Sequence, residues 1–242
     1  MAATITLDDA NANRTRWGGF LFLAGLVLTT VGALLHNLTY PTGLPRADAA
    51  AADAIVANAT VHAIMAWFGL AGAVLATVGA WFLVARHVAS PFPGSAFWIA
   101  AGLGFLALVA VHAFRATGYA TLAANATAEP ILFGAARSTV LLAGTVGWTL
   151  VYGGLLGVFW GESRAHASVV PNSLATAVAL CCGLGVAAQL LSLFSATSAA
   201  AIVLGYAIYP STALLLPFLL KVAWPGISFV WSQPRAEAEA DA

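Results

Sequence analysis

Long stretches of apolar residues, each separated from the next by a short polar or proline-containing segment, set the pattern of this chain. Six of them are readable, near 17–37, 61–85, 95–118, 137–160, 173–195 and 198–221. A bilayer core about 30 Å thick needs roughly 20 apolar residues at about 1.5 Å rise each, so every stretch is long enough to span it. Lipid satisfies no backbone polar group, which leaves helices and closed barrels as the only spanning structures. Barrel strands alternate polar and apolar residues, and these runs do not. The pattern predicts an all-α, polytopic integral membrane bundle of six transmembrane helices over 17–222, between a polar segment 1–16 and a tail 223–242.

The connections differ in character. Segment 38–60 begins as a Pro/Gly turn region and becomes alanine-rich around Asp48 and Asp53, which predicts a short surface helix. Together with segment 119–136 it is long enough to cap one end of the bundle. The connections near 86–93 and 161–171 are short, so neighbouring helices are expected to be antiparallel. Two halves of three helices, 17–118 and 137–221, are conceivable on length, but they share no motif that would support an inverted-repeat transporter. Small residues such as Gly147, Gly153 and Gly157 recur within the spans, where close helix packing is their expected role.

Composition agrees with a membrane location. Hydrophobic residues make up 61% of the 242 positions and charged residues 7%, against about 45–50% and about 25% in ordinary soluble domains. The formal net charge is zero and Lys221 is the single lysine, which argues against nucleic acid as a partner. Cys181 and Cys182 are adjacent in an apolar run, a poor arrangement for a disulfide or a metal site. The polar start "MAATITLDDANANRTR" lacks the form of a cleaved leader, so the first run is expected to be a retained helix. Basic residues set the expected orientation in the cell membrane: Arg14, Arg16, Arg86, Arg164, Lys221 and Arg235 on one side outnumber Arg46, Arg115 and Arg137 on the other. The richer side is read as cytoplasmic, with both termini inside.

Candidate chemistry is confined to a few polar residues. The stretch "LALVAVHAFRATGY" carries His112 and Arg115 in an otherwise aliphatic run. A charged residue at the bilayer centre costs about 2.5–3.5 kcal/mol on insertion scales, so it normally faces the bundle interior, a cavity or a partner. In the six-helix topology His36, His62 and His112 share one membrane level, with Arg115, Arg137 and Gln189 beside them. A bland expectation is that these are interfacial residues with no chemical role.

The sharper expectation is a cofactor site. His62 and His112, with His36 as substitute, are candidate axial ligands of a haem b, and Arg115 and Arg137 candidate partners of its propionates. Alternatively His36, His62 and His112 supply three ligands to copper or zinc, although no helix offers a carboxylate beside them. Haem or copper would suit electron exchange with a quinone or another membrane subunit. A rival expectation is a small-molecule or ion transporter, or an accessory subunit, whose histidines line a polar vestibule. Neither an HExxH, a glycine loop followed by lysine, nor an acid within the spans is present to support other chemistry. Pro210 is expected to kink the sixth helix, and Trp67 and Trp148, deeper than the other tryptophans, are expected to pack in the core, with pocket lining as the alternative.

Overall fold

A computed structural model describes residues 7–40, 44–45, 47–84, 94–164 and 171–194. Its elements are helices throughout: α1 (Leu7–Thr39), α2 (Asp48–Ala57), α3 (Ala59–Val84), α4 (Gly94–Thr117), α5 (Tyr119–Ala124), α6 (Pro130–Glu162) and α7 (Asn172–Phe194). Five of them, α1, α3, α4, α6 and α7, are long and apolar enough to cross a membrane. The chain is a helical, multi-pass membrane bundle. The sixth expected span, 198–221 with Pro210, lies outside the described residues, as do the connection 86–93 and the tail.

Each long helix packs on its neighbour in chain order, α1 on α3, α3 on α4, α4 on α6 and α6 on α7. Glycines set how closely. A Cβ on Gly25 of α1 would lie 2.5 Å from the Ala76 backbone nitrogen of α3, so the two backbones touch at that point. Gly18 faces Gly79 and Leu83, whereas Gly32 faces Met65 and Gly69, so residue numbers rise along α1 as they fall along α3. The same antiparallel register joins α4 to α6, where a Cβ on Gly154 would lie 2.5 Å from the Phe97 carbonyl oxygen and one on Gly104 would lie 2.6 Å from that of Gly147. Phe22 of α1 reaches past α3 to Trp98 and Phe105 of α4, edge to face at 5.3 and 5.6 Å between ring centroids, and anchors the main apolar core.

The outward surface is what lipid would cover. Leu141 and Leu142 of α6 are each 56% exposed and Leu180 of α7 is 60% exposed. Threonine hydroxyls within the spans are satisfied on their own helices, as where Thr29 donates to the Gly25 carbonyl at 2.8 Å and Thr77 to that of Ala73 at 2.7 Å.

The bundle is capped at one end. The connection after α1 holds α2, and the connection after α4 holds α5, and these two short helices pack on each other and on the ends of α3, α4 and α6. They enclose a small core of their own, built by Ala52, Ile55, Tyr119, Ala123 and Phe133. Two boundaries differ from the sequence expectation. α1 begins at Leu7, inside the polar segment, because helical geometry tolerates polar side chains outside the lipid. α6 begins at Pro130 rather than 137, since proline is accepted in the first turn, where its missing N–H has no helical partner to lose.

Candidate functional site: a capped histidine and arginine pocket

Beneath the cap, α1, α3, α4 and α6 surround a cavity of about 210 Å³. Its polar wall is His36 and Asn37 at the end of α1, His62 near the start of α3, and His112 and Arg115 near the end of α4. The apolar wall is Ala33, Met65, Ala66, Gly69 and Trp148. Antiparallel packing explains the gathering: it brings the last turn of α1, the first turn of α3 and the last turn of α4 to one level. His112 and Arg115 are three residues apart on α4, which puts them on one face.

Room for His112 comes from Gly69. A Cβ at that position would overlap Cε1 and Nδ1 of the His112 ring, so the imidazole lies directly against the α3 backbone. His62 is 3% exposed, and neither of its ring nitrogens has a hydrogen-bond partner. Nδ1 of His112 and Nε of Arg115 are also buried without partners. Arg115 is the one charged side chain among the lining residues, and no carboxylate pairs with it among the described residues. Groups of this kind take a ligand or ordered water, because leaving one unpaired costs about 1–3 kcal/mol.

Aromatic rings join the pocket to the cap. Tyr40 stands between His36 and His62, with ring centroids 5.1 and 6.3 Å away. Tyr119 lies 5.7 Å from His62 and stacks on Phe133 of α6 at 5.8 Å. Burial pushes both phenols above their ordinary pKa, and the nearby Arg115 guanidinium draws each part of the way back. Tyr119 therefore belongs to the apolar core of the cap and is in ring contact with His62 of the pocket wall.

Arg137 stands elsewhere. Its guanidinium donates to Asp48 Oδ1 at 2.8 Å and to the Pro45 carbonyl oxygen, tying α6 to the start of α2. Gln189 of α7 is not among the lining residues, and Trp67 is 54% exposed on the lipid-facing surface of α3. Trp148 packs against the core as expected, stacked on Tyr152 at 5.6 Å, and also forms part of the cavity wall. Sequence reading passed over Tyr40, Tyr119 and Gly69; the aromatic neighbours of the histidines become visible only when the cap folds back. Among the described residues no group of three or more His, Cys, Asp or Glu is arranged to hold a metal ion. No protein-family model, curated protein or solved structure matches the chain.

Proposed function

We propose that this membrane protein binds a small ligand in the capped pocket, with the imidazoles of His36, His62 and His112 and the guanidinium of Arg115 supplying the polar contacts. One observation carries the reading: four polar side chains from three helices converge on one cavity, and several of their nitrogens are buried with no partner. A cavity of about 210 Å³ corresponds to about seven waters at about 30 Å³ each, which suits a small molecule better than a drug-sized one. With the charge bias of the flanks, the capped end faces outward and both termini are cytoplasmic, in a cell-membrane location.

Native mass spectrometry of the protein released from its membrane in gentle detergent tests this reading. The expected result is a small non-covalent adduct that disappears in His62→Ala and His112→Ala. A bare chain mass, with no thermal shift across a panel of neutral and charged small molecules, would overturn it.

A second reading is an electron-transfer protein holding a haem between His62 and His112 and serving a quinone or a partner subunit. Its support is that both His62 nitrogens are free of protein partners. Two features weigh against it: the cavity is small, and a ligating histidine usually donates its other N–H to a protein acceptor. A Soret band that shifts on dithionite reduction and vanishes in both histidine variants would establish it over the first reading. A copper or zinc centre on His36, His62 and His112 has less support, because those three side chains form no ligand group.

A further inference from the structure

Resting on the ligand-binding reading, we infer that the pocket takes a small anion bearing carboxylate- or phosphate-type oxygens, with Arg115 as its counter-charge. Two other arginines among the described residues have partners. Arg137 closes an ion pair with Asp48, and Arg164 lies 4.5 Å over the Trp160 ring. Arg115 has neither kind of partner, although its Nε is buried and it points into a cavity. A cation held among apolar helices without a counter-charge is costly, and an anion entering the cavity removes that cost.

Everything else on the polar wall suits the same guest. Imidazole N–H groups can donate to anionic oxygens, and the guanidinium can offer two parallel N–H bonds to a carboxylate or phosphate. No Asp or Glu is among the described lining residues to repel an anion. The opposite wall, Ala33, Met65, Ala66 and Trp148, would pack against a short apolar body. An anionic oxygen group on a compact apolar stem meets both walls.

The same oxygens occur on free small anions and on lipid headgroups, so the experiment has an arm for each. Lipid-free protein in a neutral detergent is titrated with sodium acetate, sodium propionate and sodium phosphate at constant ionic strength, and with acetamide as an uncharged analogue of acetate. Binding is read from tryptophan emission, with Trp148→Phe as the control that isolates the reporter in the cavity wall, and from the unfolding temperature. In parallel, protein in nanodiscs of phosphatidylcholine is compared with protein in nanodiscs containing phosphatidylglycerol.

The expected result is saturable binding of at least one free anion, tighter than acetamide by tenfold or more. It should weaken at least tenfold in Arg115→Gln and be largely retained in Arg115→Lys. A response confined to phosphatidylglycerol nanodiscs, with the same dependence on Arg115, assigns the anion to a lipid headgroup. Equal binding of acetate and acetamide by the unaltered protein overturns the inference while leaving the ligand-binding reading standing. No binding of any compound in either arm overturns both. Should Arg115→Gln fail to fold, the acetate and acetamide comparison on the unaltered protein still decides.

Discussion

Tyr119 shows at the scale of one residue how cap and pocket depend on each other. Its ring is 1% exposed, packed between Phe114 and Phe133 on the cap side and His62 on the pocket side. Burial raises the phenol's pKa, Asp48 adds to the rise, and Arg115 and Arg137 oppose it. The folded state therefore keeps the proton to higher pH than the unfolded chain does. The contribution of Tyr119 to stability is fully present below the ordinary phenol pKa of about 10 and is lost as pH rises through the folded value. Tyr119→Phe should accordingly flatten the alkaline fall in unfolding temperature, measured from about pH 9 upward, while changing stability little at neutral pH. An alkaline fall of the same steepness in the variant would show that the phenol is not the group responsible. His36, His62, His112 and Arg115 were all readable as residue types in the sequence. Their meeting was also readable, because three helix ends at one level follow from antiparallel hairpins. Tyr119 was not, because its role depends on a six-residue helix with no apolar period of its own.

Among the elements, the tight α1–α3 and α4–α6 contacts are carried by glycines. In α1 they recur at Gly18, Gly25 and Gly32, every seventh residue, a spacing that keeps one face toward α3. Gly25→Val should force those backbones apart and destabilise the protein by about 1–3 kcal/mol or more. Gly153→Ala is the matched control: nothing stands within 4 Å of its added Cβ, and replacing glycine in a helix should stabilise by about 0.5–1 kcal/mol. Unfolding in a titrated denaturing detergent measures both, and equal effects would contradict the packing assignment. The cap is held more lightly. Asp48 is 53% exposed, so a double-mutant cycle on Asp48→Asn and Arg137→Gln should give a coupling of only about 0.2–1 kcal/mol. Faster hydrogen exchange over 48–57, with α7 unaffected, should accompany the loss of that pair. At this scale the apolar runs announced the five described spans and alanine with Asp48 and Asp53 announced α2. The early start of α6 was missed because Pro130 reads as a breaker until its place in the first helical turn is known.

For the whole molecule, the membrane class was legible from composition and run length alone, since so few charges cannot cover a soluble surface. The cap over a cavity was only partly legible: two long connections implied a cover, but a volume of about 210 Å³ depends on side-chain packing that periodicity does not encode. Trp148 illustrates the gap, a tryptophan deep in a span that packs against the core beside Phe105 and Tyr152 and also lines the cavity. It also provides the most direct measurement of the central claim, that a ligand enters the cavity among α1, α3, α4 and α6. Trp148 emission should change saturably during titration with at least one of acetate, propionate and acetamide. The change should vanish in Trp148→Phe, which removes the reporter, and in Ala33→Leu, which fills the cavity while leaving its polar groups in place. An unaltered response in Ala33→Leu would contradict the account, as would no response of the unaltered protein to any of the three, to phosphate or to phosphatidylglycerol nanodiscs.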